Sequence, residues 1–231
     1  MNNDFKGLKK PMFVMIAACS MFFALRMIIL SPIIGSEIAF FSISDVLMPL
    51  TGTLGIGYAG LIIVARCVFK IMFLHVSHTS YMSLIMALVY HIPGFCGALV
   101  WGTRNKFFQL MIPVICIGLF VIHPVGRQAF VYSFFWFIPF IIFYMGLTHL
   151  YARALATTFI VHAVGSVIWL YTFEISAATW LSLIPVVCIE RCMFAGLLAL
   201  AAYVLTSVSV MWSLRKKTTG NKKLQQSFVQ F

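Results

Sequence analysis

The chain has 231 residues, of which 62% are hydrophobic and 9% are charged, and its mean hydropathy is +1.04. In soluble domains about a quarter of the residues are charged, so this chain has too little polar surface to cover a water-soluble globule. The composition therefore predicts an integral membrane protein.

The net charge of +11 is concentrated outside the apolar segments. Lys6, Lys9 and Lys10 precede the first of them, and a basic tail that begins at Arg215 follows the last. Such flanking charges set membrane topology and contact anionic lipid headgroups. Because no basic soluble domain exists to bind nucleic acid, the sequence predicts the lipid bilayer as a partner and no nucleic acid.

The apolar residues form eight segments, which in chain order are 11–34, 44–56, 58–76, 80–101, 106–123, 129–147, 153–173 and 180–212. Since a full crossing takes about 20 residues, they predict an all-α, polytopic membrane bundle with six to eight transmembrane segments. Segment 44–56 is short and rich in glycine, which favours either a short tilted helix or a re-entrant hairpin with the next segment. The last segment is too long for one straight crossing, so Pro185 predicts a kink or an interfacial start there.

The distribution of lysine and arginine predicts that both termini are cytoplasmic, because eight crossings then place Arg104, Lys106, Arg153 and the basic tail on the inner side. We expect residues 1–214 to form a single transmembrane domain and residues 215–231 a disordered basic cytoplasmic tail. The predicted location is a prokaryotic cytoplasmic (inner) membrane, as a multi-pass protein.

Several ionisable residues interrupt the apolar segments. The depth of each residue, at about 1.5 Å per helical residue, predicts a group near the midplane that consists of Arg66, His91, His162, Glu190 and Arg191. Arg26 is predicted to lie in the outer half and Asp45 near the outer mouth. A charge at the centre of a bilayer helix costs at least about 2.5–3.5 kcal/mol, so these side chains are expected to face the protein interior or a wet cavity.

Glu190 and Arg191 are adjacent, and neighbours on a helix point about 100° apart. We therefore expect the two side chains to face different helices. Arg66 is the predicted partner of Glu190, which leaves Arg191 for a carboxylate, a carbonyl or a ligand. The excess of buried bases over buried acids favours an anionic group on that ligand.

Two interpretations of these residues stay open from the sequence, a buried ion-pair network that pins helices together and a binding pocket at the midplane. Trp169 and its aromatic neighbours fit either an interfacial belt or a stacking wall for a ring-bearing ligand. The predicted substrate-binding residues are Arg191, Arg66, Glu190, His91, His162, Asp45, Trp169 and Arg26. No cofactor and no metal-ligand set is predicted.

Two stretches of the chain resemble the substrate-binding (S) components of energy-coupling-factor vitamin transporters. ISDVLMPLTGTLGIGYAGLI looks like their second and third helices, and HAVGSVIWLYTF followed by WLSLIPVVCIERCMFAGLLALAAYVL is similar to their last two. The family has six helices, whereas this chain has an additional apolar hairpin at 106–147. The resemblance implies capture of a vitamin, a precursor or a related small molecule from outside, with uptake powered by a coupling membrane protein and a pair of ATPases.

Two other functions compete with this one. Polar residues on interrupted helices also suit an autonomous proton-coupled secondary transporter or channel. An intramembrane enzyme would use His162 with Ser166 on the same helix, or a metal held by His91, His162 and a cysteine, and neither pattern is diagnostic. We predict that the chain is not an enzyme.

Overall fold

The computed structural model describes residues 28–32, 40–76 and 89–228, and most of these are helical. The expectation of an all-α fold needs one correction, because a small sheet is also present. Ile29–Pro32 (β1) and Phe40–Ser42 (β2) pair as antiparallel strands, with a bulge between Ile29 and Ser31. Residues 29–32 of predicted segment 11–34 therefore form a strand, and residues 11–27 and 33–34 lie outside the described residues.

The second predicted segment is a short irregular element rather than a single helix. It consists of helix α1 (Ile43–Leu47) and a 3-10 helix (Met48–Leu54) with Pro49 in its first turn. At about 1.5 Å per residue for the first and about 2 Å for the second, the two span roughly 21 Å. This is shorter than the apolar core of a bilayer, which is about 30 Å thick.

Glycines allow this 3-10 helix to pack closely against its neighbour, α3 (Ile92–Thr103). A side chain at Gly52 would collide with the backbone of Ala98, and one at Gly102 would collide with the backbone of Gly52. Gly55 has a positive φ of 104° and turns the chain into α2 (Ile56–Val76). The close backbone approach follows from the absence of a Cβ at both positions.

The next stretch reverses direction twice. Its elements are α4 (Lys106–Ile122), α5 (Pro124–Gln128), a second 3-10 helix (Phe130–Phe137) and α6 (Ile138–Tyr144). The Tyr171 hydroxyl near the end of the following long helix donates to Leu119 O at 2.8 Å, near the end of α4. The Lys106 ammonium at the start of α4 lies 5.5 Å from the centre of the Phe143 ring near the end of α6. The stretch from Pro124 to Tyr144 thus returns the chain to the end where α4 begins.

The last part of the chain contains the two longest apolar helices. They are α7 (Leu150–Thr172) and α9 (Ile184–Phe228), joined through the short helix α8 (Ala177–Ser182). Within the described residues, α7 and the Ile184–Trp212 part of α9 are long and apolar enough to cross a membrane. Of the two alternatives predicted for Pro185, a kink or an interfacial start, the structure has the start of a helix, because α9 begins at Ile184.

Residues 215–228 continue α9 as helix, whereas the composition predicts a disordered tail. The tail contains lysine, arginine, glutamine and leucine, which are good helix formers and can extend a helix that has already started.

Two apolar clusters hold the long helices together. Trp101, Ala154, Ala195 and Leu198 are fully or almost fully buried where α3, α7 and α9 meet. The second cluster is aromatic and centres on Phe120, with Tyr132, Trp136 and Trp180 packed around it at ring-centroid distances of 5.1–5.8 Å. The candidate site lies beside this aromatic cluster.

Candidate functional site

A cavity of about 150 Å³ lies among α1, α2, α7 and α9. Its wall combines aliphatic and aromatic side chains with ionisable groups. The structure brings seven of the eight predicted binding residues to this wall, namely Asp45, Arg66, His91, His162, Trp169, Glu190 and Arg191. The eighth, Arg26, lies outside the described residues.

One corner of the cavity is an ion pair between two elements. Arg66, near the middle of α2, donates from Nη2 to Asp45 Oδ1 of α1 at 2.7 Å. Asp45 Oδ2 also accepts from the Ser42 backbone N–H at 3.1 Å and from its hydroxyl at 2.7 Å. The remaining Arg66 Nη1 is 3.4 Å from the sulfur of Met48. This corner therefore fastens the α1 segment to α2.

The opposite corner is an ion pair within one helix. Arg191 Nη2 donates to Oε2 of its neighbour Glu190. The guanidinium also lies 4.6 Å from the centre of the Phe194 ring, one turn further along α9, in the geometry of a cation–π contact.

Two predictions about these pairs are wrong. Glu190 does not pair with Arg66, since Asp45 holds Arg66, and Glu190 and Arg191 pair with each other instead of facing different helices. Adjacent Cα–Cβ bonds on a helix diverge by about 100°, but the flexible stem of arginine can bend back along the helix and bring its guanidinium to the preceding side chain.

The acids and arginines of the two pairs differ in accessibility. The side chains of Arg66 and Arg191 are 6% and 3% exposed, against 21% for Asp45 and 13% for Glu190. In each pair the carboxylate is therefore the more accessible member. Since the described cavity wall has two acids and two arginines, the predicted excess of buried positive charge is absent from it.

His162 lies midway along α7, as predicted, and belongs to a row of hydrogen-bonding groups. Its Nε2 is 3.0 Å from the Tyr132 hydroxyl and 3.4 Å from the Ser166 hydroxyl. Because Tyr132 is the nearer partner of that nitrogen, the arrangement differs from a pair in which a base is reserved for a serine nucleophile.

His91 lies directly before the first residue of α3, whereas the sequence predicts it within a long apolar helix. It is 5% exposed and immediately precedes α3, which has Pro93 in its first turn. Because proline has no backbone N–H to donate within a continuous helix, Pro93 explains why α3 begins at this point.

The aromatic residues that follow His162 divide between two roles. Trp169 lines the cavity and stacks on Phe173, with ring centroids 4.3 Å apart. Trp180 also lines the cavity but is 3% exposed and belongs to the aromatic cluster around Phe120. An interfacial belt therefore does not describe Trp180.

Sequence reasoning missed Tyr132, which lines the cavity, and Ser42, which donates hydrogen bonds to Asp45. Tyr132 falls in a run of aromatics and nothing in its local sequence marks it, because its role depends on a contact with α7. Ser42 could have been found, since Ser-x-x-Asp before an apolar run is a helix-start pattern.

Among the described residues, no three His, Cys, Asp or Glu side chains lie close enough together to hold a metal ion. No family model, curated protein or solved structure matches the chain. The chemistry of the cavity is therefore the basis for the function considered next.

Proposed function

We propose that the chain is a multi-pass membrane protein that captures a small molecule in the cavity as the S-component-like subunit of an importer. The observation that carries this is the convergence of two ion pairs, two histidines and aromatic side chains on one cavity. Small-molecule sites are typically apolar hollows with a few convergent polar groups that orient the ligand. Ionisable residues at membrane depth mark such sites because their burial is costly.

The course of the described helices supports several crossings. α4 and α7 run in the same direction, and the chain between them returns through the second 3-10 helix and α6. Arg104, Lys106 and Arg153 then lie at one end of these helices, and Glu174 follows the other end of α7. This separation agrees with an inner side that carries the positive charges.

The proposed energy source lies outside the chain. The sequence contains no GxxxxGK[ST] nucleotide-binding motif. Uptake would then require a coupling membrane protein and an ATPase pair, as the resemblance to S components implies.

Affinity purification of the tagged protein from its native membrane tests this role. We expect an integral membrane protein and two nucleotide-binding subunits to purify with it in fixed ratio, and ATP hydrolysis to accompany uptake in proteoliposomes. A protein that purifies alone and drives uptake without ATP would contradict the proposal.

Uptake without ATP by a protein that purifies alone would favour an autonomous proton-coupled transporter. One observation supports this second candidate. The hydroxyls of Tyr132 and Ser166 both lie within hydrogen-bond distance of His162 Nε2 in the cavity wall, and intramembrane histidines can take part in proton transfer. Acidification of proteoliposomes during uptake, abolished in a His162→Phe variant, would support this candidate.

A further inference from the structure

We propose that the cavity selects a ring-bearing ligand with a protonated amine or a similar N–H donor group, and that the Glu190 carboxylate binds this group. This inference rests on the proposed small-molecule site and names its ligand class. It replaces the anionic group that the sequence predicts.

The balance of charge is the first step. The charged side chains of the described cavity wall are Asp45, Arg66, Glu190 and Arg191, which form two pairs of opposite sign. Their formal charges cancel, so the described wall has no surplus positive charge that would attract an anion. The ligand is then selected by whichever member of each pair it can reach.

The order of burial is the second step. An incoming ligand meets the carboxylates of Asp45 and Glu190 before the guanidinium groups, because each acidic side chain is about three to four times more exposed than its arginine partner. The guanidinium of Arg191 is covered on one side by Phe194. An anion that enters the cavity first meets the like charge of a carboxylate, whereas a cation can join each pair without breaking it.

The remaining hydrogen-bonding capacity separates the two acids. The Asp45 carboxylate accepts three hydrogen bonds, two from Ser42 and one from Arg66. Among the described residues, the Glu190 carboxylate accepts one, at Oε2 from Arg191. A carboxylate has about four acceptor positions, so Glu190 retains the larger capacity, including its Oε1.

The rest of the wall indicates the body of the ligand. Trp169 and Trp180 line the same cavity with Val187 of α9, which favours an apolar or aromatic ring. The volume of about 150 Å³ equals that of an engineered protein cavity that binds benzene. A single ring with one cationic substituent fits these conditions.

Three matched single-ring probes test the charge preference. Benzylamine, which is protonated at pH 7, benzyl alcohol and benzoate are titrated separately into the detergent-solubilised full chain, and binding is measured by calorimetry. We expect benzylamine to bind at least about tenfold more tightly than benzoate, because it forms a charge-assisted hydrogen bond with Glu190. Equal or tighter binding of benzoate overturns the proposal, and so does the failure of all three probes to bind.

Variants of Glu190 test the residue. Glu190→Gln should weaken benzylamine binding by about tenfold and leave benzyl alcohol binding unchanged, which also shows that the variant is folded. Glu190→Asp retains the charge and should retain the preference for benzylamine over benzoate. Glu174→Gln is the matched control, because Glu174 is exposed beyond the end of α7 and does not line the cavity. An unchanged preference in Glu190→Gln overturns the assignment.

The proposed transport role and the proposed ligand class can be contradicted independently of each other. If the probes show the expected preference but no ATPase subunits purify with the protein, the ligand class stands and the S-component role does not. If the subunits purify with it but benzoate binds best, the importer stands and the inference about Glu190 is wrong.

Discussion

The two charged corners of the cavity contain the same kinds of group but connect different parts of the chain. Asp45 and Arg66 come from separate elements, α1 and α2, so their pair forms only when these elements pack together. Glu190 and Arg191 are adjacent on α9, so their pair can form in that helix before any other helix packs against it. The first pair therefore depends on tertiary structure, and the second does not.

This difference matters because unfolded membrane proteins retain much of their helical structure in the bilayer, where polar groups still find partners. A pair within one helix contributes almost equally to the folded and unfolded states. We therefore expect the Asp45–Arg66 corner to support the fold and the Glu190–Arg191 corner to serve the ligand.

The largest expected effect follows from breaking the first corner. Arg66→Ala leaves the Asp45 carboxylate without its cation and should lower the free energy of unfolding by about 3 kcal/mol. A double-mutant cycle for Asp45→Ala and Arg66→Ala, measured by denaturation in mixed micelles, should show a coupling of about 1–3 kcal/mol. The cycle for Glu190→Ala and Arg66→Ala is the control, and we expect it to be additive. If only the control cycle showed coupling, the partner of Arg66 would be Glu190, as the sequence predicts, and not Asp45.

A slightly smaller loss is expected from the close backbone contact beside that corner. Gly102→Ala should destabilise the protein by about 2 kcal/mol, because the new Cβ collides with the backbone of Gly52. Gly60→Ala on α2 is the control, since nothing lies within 4 Å of its Cβ position, and it should be neutral or stabilise the helix by up to about 1 kcal/mol. Equal melting temperatures for the two variants would contradict this packing.

Removing the hydroxyl of Tyr132 should have an intermediate effect. Tyr132→Phe keeps the ring in the aromatic cluster but loses the hydrogen bond to His162, which should cost about 1 kcal/mol. Tyr203→Phe provides the control, because Tyr203 is 64% exposed and does not line the cavity. A loss of stability in Tyr203→Phe but not in Tyr132→Phe would show that the hydrogen bond to His162 contributes nothing.

The smallest effect on stability is expected at the second corner. Glu190→Gln should lower the free energy of unfolding by less than about 1 kcal/mol, because the pair persists in the isolated helix and an amide oxygen can still accept from Arg191. The measurement is the same denaturation in mixed micelles. A loss as large as that of Arg66→Ala would remove the distinction between the two corners.

Sequence reasoning predicted the residues that line the cavity more accurately than the ion pairs that these residues form. Residues such as Arg66, His162 and Glu190 were found because a polar group in an apolar helix must face protein, and helical rise places each at a similar depth. The partner of Arg66 could not be found in this way. It depends on how the short α1 segment packs on α2, and on close contacts such as that between Gly52 and Gly102, which no local pattern specifies.

The sequence indicated the boundary of an element at Pro185 but did not indicate the two strands. Pro185 predicted either a kink or an interfacial start, and α9 begins one residue before it, at Ile184. The strand pairing of Ile29–Pro32 with Phe40–Ser42 was missed. These strands have only four and three residues, and short apolar runs cannot be assigned to helix or strand from periodicity alone. Tyr132 was missed because its role arises from a contact 30 residues along the chain.

The central claim, that the cavity holds a small molecule, is tested most directly by filling it. Gly165 lines the cavity, and the nearest atom to its Cβ position, Cγ of Pro93, is 3.8 Å away. Gly165→Leu should therefore place an apolar side chain in the cavity without unfolding the protein. Gly118→Leu is the matched control on an exposed face of α4, with nothing within 4 Å. Calorimetric titration of benzylamine should show at least about tenfold weaker binding to Gly165→Leu and unchanged binding to Gly118→Leu. Equal binding to both variants would contradict the claim.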